Sequence, residues 1–152
     1  MPAARRTPIG LQLTRSSRAV SRAFDAALEG AGGSLPIWLV LLSLKSGQAA
    51  HQRDLAEAVG IHEATLTHHL NAMTAQGLVT RERDPTNRRI QHVRLTEAGE
   101  AAFLRLRAAA VDFDGALRAG ISEQEIATLD ALLGRLEANV RTQVETAGQA
   151  GR

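Results

Sequence analysis

Between residues 52 and 77 the apolar positions fall on two short helical stripes. Leu55, Ala56 and Val59 stand at i, i+1 and i+4, and Leu66, Leu70 and Met73 at i, i+4 and i+7, the recurrence that gathers side chains on one face of an α-helix. Gly60 and Gly77 follow the two stripes, and glycine ends a helix at low steric cost because it enters the left-handed region freely. The pattern predicts helices over Gln52–Val59 and from about Glu63 to Gly77, joined by a tight turn. That is a helix-turn-helix, in which the second helix is the one that reads a DNA major groove. Downstream the period drops to two. Leu78–Arg83 is extended in character, Asp84-Pro85-Thr86-Asn87 carries turn chemistry, and Ile90–Leu95 alternates apolar and polar, which predicts a two-stranded ribbon with a polar tip.

Longer helices flank this region. Over Ile9–Glu29, Leu13, Val20, Phe24, Ala27 and Leu28 share one face while Arg15, Arg18, Arg22 and Asp25 share another. Ser34 is placed to cap a helix over Pro36–Lys45, which is nearly all apolar and so predicted to be buried on most sides. Thr96 is the N-cap expected for a helix reaching about Arg118, with Phe103, Leu106, Ala110, Phe113 and Leu117 spaced 3, 4, 3, 4. Ser122-x-x-Glu125 is a capping box opening the last helix, where Ile126, Leu129, Leu133, Leu136 and Val140 repeat that spacing. A 3.5-residue seam calls for a partner helix. The first eight residues, with Pro2 and Pro8 and little to bury, are expected to be disordered.

Charge changes the picture through its distribution. The 152-residue chain has a net charge of only +2 beside a pI of about 10.3. The two agree because the chain has no Cys, no Tyr and a single Lys, leaving little to titrate between neutrality and pH 10. Arg5, Arg6, Arg15, Arg18 and Arg22 precede the first acid, and Arg81–Arg94 holds five arginines against two acids. Basic patches on a nearly neutral chain point to a directed nucleic-acid surface. The absence of cysteine excludes disulfides and thiolate chemistry. No apolar run approaches the ~20 residues of a membrane span, and the N-terminus lacks the apolar core of a secretory signal. The location expected is the cytoplasm, with no membrane partner.

The run Leu78-Val79-x-Arg81-x-x-Asp84-Pro85-x-Asn87-Arg88-Arg89, followed by Leu95-Thr96-Glu97-Ala98-Gly99, resembles the MarR family of winged-helix transcription regulators. The resemblance covers about a third of the chain. It implies a mainly α fold with a small β-wing: a winged helix-turn-helix over 35–96, flanked by dimerisation helices over 1–34 and 97–152. It further implies a homodimer on double-stranded DNA. No enzymatic activity is expected, since the sequence has no glycine-rich phosphate loop, no cysteine nucleophile and no His–carboxylate constellation. On the reading helix, His62, Glu63, Ala64, Thr65, Thr67, His68 and Asn71 are left free by the apolar stripe as candidate DNA contacts, and by analogy with the family Glu63, Ala64, Thr67 and His68 approach the base edges. His62 stands where the family has a capping Asp or Ser. In the wing, Arg89 matches the residue placed in the minor groove, with Arg88 beside it and Asp84 expected to orient an arginine. Arg81, Arg83, Gln52, Arg53 and Lys45 are further candidates for phosphate contacts.

Family resemblance also implies an effector, a small aromatic acid or phenol, held between the reading head and the dimerisation helices. Phe24, Trp38 and Phe103 are candidates to line that site, and Arg18 to meet a carboxylate. No cofactor is expected. The histidines raise zinc as an alternative, but His62-Glu63 and His68-His69 lack the HExxH spacing. Ligands would have to converge from elsewhere, for instance His51 or His92. The other alternative is a winged helix used only for dimerisation or docking, which would leave the wing arginines without an anionic partner.

Overall fold

The structure is a computed structural model describing residues 7–47, 51–88 and 90–150, with side chains to residue 143. Arg89 and the disorder expected of residues 1–6 therefore lie outside the described residues. The elements in order are α1 (Ile9–Gly30), α2 (Leu35–Lys45), α3 (Gln52–Val59), α4 (Glu63–Ala75), β1 (Val79–Arg83), β2 (Gln91–Leu95), α5 (Glu97–Leu117) and α6 (Glu123–Ala150). This is the mainly helical fold with a two-stranded wing that the patterning predicts. The chain divides into two compact units, Met1–Phe113 and Asp114–Arg152.

In the first unit the predicted stripes converge. Leu28 of α1, Val40 and Leu41 of α2, Leu55 of α3, Leu66, Leu70 and Met73 of α4, Val79 of β1, Val93 of β2 and Leu106 of α5 are all fully buried. Each such side chain contributes about 1.5–3 kcal/mol by leaving water, and three of them seat α4 in this core. α2 is less enclosed than its composition predicts: Trp38, Val40, Leu41 and Ser43 are buried, but Leu42 is exposed. Ser34 caps α2 by accepting from the Ile37 amide at 3.5 Å.

β1 and β2 pair antiparallel from Val79 with Leu95 to Arg83 with Gln91. Alternation along this ladder puts Val79, Arg81 and Arg83 on one face with Gln91, Val93 and Leu95. The buried Val79 and Val93 mark that face as the inner one.

The base of the wing is closed by α5. The Thr96 amide donates to the Leu78 carbonyl at 3.1 Å, its hydroxyl donates to the Gly77 carbonyl, and the same hydroxyl accepts from the Gly99 amide at 3.0 Å. A Cβ on Gly99 would stand 2.0 Å from the Leu78 oxygen. Thr96 and Gly99 of the Thr-Glu-Ala-Gly run are therefore a cap and a close approach, both needed to seat α5 on the root of β1.

In the second unit the capping box forms as predicted. The Ser122 amide donates to Glu125 Oε2 at 2.9 Å and the Glu125 amide to Ser122 Oγ at 3.3 Å. The Ser122 amide first, then the Ser122 hydroxyl, both donating to Glu125 Oε2, lower the Glu125 carboxyl from its ordinary value.

Candidate nucleic-acid interface

α4 buries Leu66, Leu70 and Met73 and leaves His62, Glu63, Ala64, Thr65, His68 and Asn71 exposed, with Thr67 half-buried. His62 occupies the N-cap and makes no side-chain cap bond, as its departure from Asp or Ser led one to expect. His68 is exposed and His69 half-buried, their rings 5.8 Å apart.

Several residues expected at DNA make hydrogen bonds within the protein. Arg81 Nη1 donates to Asn71 Oδ1 at 2.6 Å, and its Nη2 donates to Gln52 Oε1 at 2.8 Å and to Gln91 Oε1 at 2.6 Å. Gln52 Nε2 donates in turn to Thr67 Oγ1 at 2.8 Å, and that hydroxyl donates to the Glu63 carbonyl. Arg81 is thus turned inward, on the face of the ladder that it shares with the buried Val79. Lys45 Nζ lies 2.7 Å from Glu100 Oε2 and 5.9 Å above the Phe103 ring. Arg53, Arg83 and Arg88 remain exposed. Together with α3, α4 and β2 they line an open groove of about 730 Å³ between the reading helix and the wing.

The wing turn is ordered by Asp84. Among the described residues its Oδ2 accepts from His92 Nε2 at 3.0 Å. Its Oδ1 accepts from the Thr86 hydroxyl and from the Thr86 and Asn87 amides at 2.8 and 2.9 Å. The His92 bond first, then those from Thr86 and Asn87, hold the carboxyl well below the usual carboxylate range. An aspartate that receives amides two and three residues on is the chemistry of an Asx turn. His92 also packs on His51, ring centroids 4.6 Å apart, where residue 51 makes an isolated bridge to residue 92. His51 and His92 do converge, as a zinc site would need, but with each other and Asp84. Among the described residues no group of three or more His, Cys, Asp or Glu is placed to hold a metal.

The aromatic residues expected around an effector pack on one another. Trp38 stacks on Phe103 at 5.7 Å, both buried, and Phe24 lies 5.1 Å from Phe113; Arg18 is exposed. Sequence reasoning passed over Gln91 and His92 as organisers of the wing. The signal was available, since residue 91 lies diagonally across the ladder from Arg81 on the same face.

The MarR family model matches residues 34–91. Transcriptional regulator PA3341 is 33% identical over 89% of this chain and 99% of its own, with a TM-score of 0.72. The chain belongs to the MarR family. Two further solved structures share the MarR-type fold at lower identity. CouR, a transcriptional repressor solved bound to a 23-mer DNA duplex, is 24% identical over 86% of this chain and 92% of its own, with a TM-score of 0.76. Bordetella bronchiseptica BpsR, whose DNA binding is regulated by 6-hydroxynicotinic acid, is 22% identical over 90% of this chain and 98% of its own, with a TM-score of 0.75. As a MarR-family transcriptional regulator the chain has the winged helix-turn-helix expected, and no single helix among the described residues is long and apolar enough to cross a membrane.

Proposed function

We propose that this MarR-family chain is a homodimeric, sequence-specific DNA-binding repressor of the cytoplasm, without enzymatic activity, released from its operator by a small aromatic acid or phenol. The observation that carries this reading is the pairing of an exposed polar face on α4 with a wing bearing Arg83 and Arg88. Glu63, Ala64, Thr65 and His68 offer donors, acceptors and a methyl to base edges, while Arg53, Arg83, Arg88 and Arg89 meet phosphates and the minor groove. Residues 35–96 are then the DNA-binding domain, with 1–34 and 97–152 serving dimerisation.

Dimerisation is supported by the seam on α6. Leu129, Leu133 and Val140 are 49%, 37% and 60% exposed in the single chain, at the spacing of a helix that packs on another. Paired reading heads about 34 Å apart would meet successive major grooves of a pseudo-palindromic site. The DNA complex of CouR and the effector dependence of BpsR support a partner of each kind. Release follows if the effector favours a dimer with its heads at the wrong spacing. The zinc alternative finds no ligand cluster among the described residues to rest on.

The test is binding of the purified protein to its own upstream intergenic DNA over a salt series, beside a scrambled duplex. A steep, salt-dependent preference for the native duplex is expected. Equal weak binding to both would overturn sequence-specific regulation, and no binding at low salt would favour a docking module.

A further inference from the structure

Among the described residues Arg81 is the one cation of the wing whose fork is turned into the protein, and its bonds join four separate elements. From β1 it reaches Asn71 on α4, Gln52 on α3 and Gln91 on β2, and Gln52 extends the chain of bonds to Thr67 on α4. All three acceptors are neutral amide oxygens. The guanidinium is therefore held by direction rather than by a neutralising acid, and its planar donors suit acceptors lying on different sides of it. Both Nη2 hydrogens and one of the two on Nη1 are committed to these 2.6–2.8 Å bonds, which leaves a single Nη1 hydrogen for a phosphate where a free fork would offer a bidentate face. Arg53 and Arg88, by contrast, are exposed.

We propose that Arg81 is a positioning residue: a strut that fixes the angle of the wing against the reading helix, and so couples minor-groove contact to major-groove register. The proposal rests on the DNA-binding reading above. Asn71 and Thr67, singled out from the sequence as base contacts, then serve α4 as the anchors of that strut. A lysine would keep the positive charge but offers a compact head on a flexible stem, which cannot hold three elements in fixed directions. Specificity by this route is geometric, since a loosened wing still finds phosphates but no longer at a set distance from the bases.

The experiment compares the full chain with Arg81→Lys, Arg88→Ala and the double variant on native and scrambled duplexes. Arg81→Lys is expected to lose about tenfold on the native duplex, the scale of one charged hydrogen bond, while scrambled-duplex binding and the salt slope stay as in the parent. The penalty of Arg88→Ala should shrink in the Arg81→Lys background, because a wing no longer held in register has less to lose. Parent-like native binding by Arg81→Lys, or penalties that simply multiply, would overturn the strut. A second readout needs no DNA. The chain has no cysteine, so spin labels at Ala72→Cys on α4 and Glu82→Cys on β1 report their distance, with labelled chain diluted in unlabelled. A narrow distribution that broadens with Arg81→Lys, or with Asn71→Ala should the first variant not fold, supports the strut even if the parent prefers no DNA sequence. A distribution that stays narrow sinks it.

Discussion

Asp84 and His92 face each other across the wing, carboxylate oxygen to ring nitrogen at 3.0 Å, and the turn between the strands is built on that bond. The Asp84 carboxyl is held well below its ordinary range, first by His92. A depressed carboxyl stabilises the fold above its unfolded value, near pH 4, and that contribution is lost as pH falls below it towards the folded value. Asp84→Asn should therefore unfold at lower temperature than the parent at pH 7. The gap should persist down to about pH 4 and narrow below it. A gap that stays constant to pH 2.5 would mean that the charge of Asp84 is not what orders the turn.

Gly99 meets the Leu78 carbonyl where no side chain fits. Because the obstruction is backbone, Gly99→Ala must move α5 or β1, a strain of about 1–3 kcal/mol. Chemical denaturation would show it as a lower midpoint at an unchanged slope. Stability equal to the parent would mean that α5 shifts freely.

Arg88→Ala and Arg89→Ala should each weaken binding to every duplex and reduce the salt slope by about 0.9 per lost phosphate contact. His68→Ala should act differently, relaxing discrimination at one base pair by about 1–3 kcal/mol with little change in slope. Titrations on single-base operator variants separate the two; a salt slope unchanged by both arginine variants would remove the wing from binding.

Replacing the exposed Leu133 of α6 with Asp should shift the chain towards monomer and weaken operator binding far more than binding to a half-site. Light scattering with both duplexes checks this. A Leu133→Asp chain that remains dimeric would place the interface elsewhere.

Most of the fold could be read because its elements follow from local rules. The stripes of α3 and α4, Gly60 and Gly77 at left-handed φ of 74° and 71°, the Ser122–Glu125 box and the Thr96 cap all depend on neighbours a few residues apart. The site was less legible because the partners of its polar residues come from distant elements. Nothing local says that Arg81 will find Gln52, 29 residues away, or that Lys45 will be drawn to Glu100. The one usable clue was strand parity: Arg81 follows Val79 by two and shares its inner face. Charge alone placed Arg81 among the outward arginines; alternation puts it on the inner face. Its distance from the tip, where Arg83 on the same face is exposed, brings it within reach of Gln52 and Asn71.

The junction of Gly77, Leu78, Thr96 and Gly99 has a consequence for how this protein can change. With the Thr96 hydroxyl on the Gly77 carbonyl, 19 positions apart in sequence, the intervening hairpin is a loop tied off at its own neck. Lengthening a tied loop costs little, about 0.6 kcal/mol for each doubling. Insertions at the exposed tip around Pro85 and Thr86 would extend the reach of the arm, while the neck and the helix that abuts it keep their places.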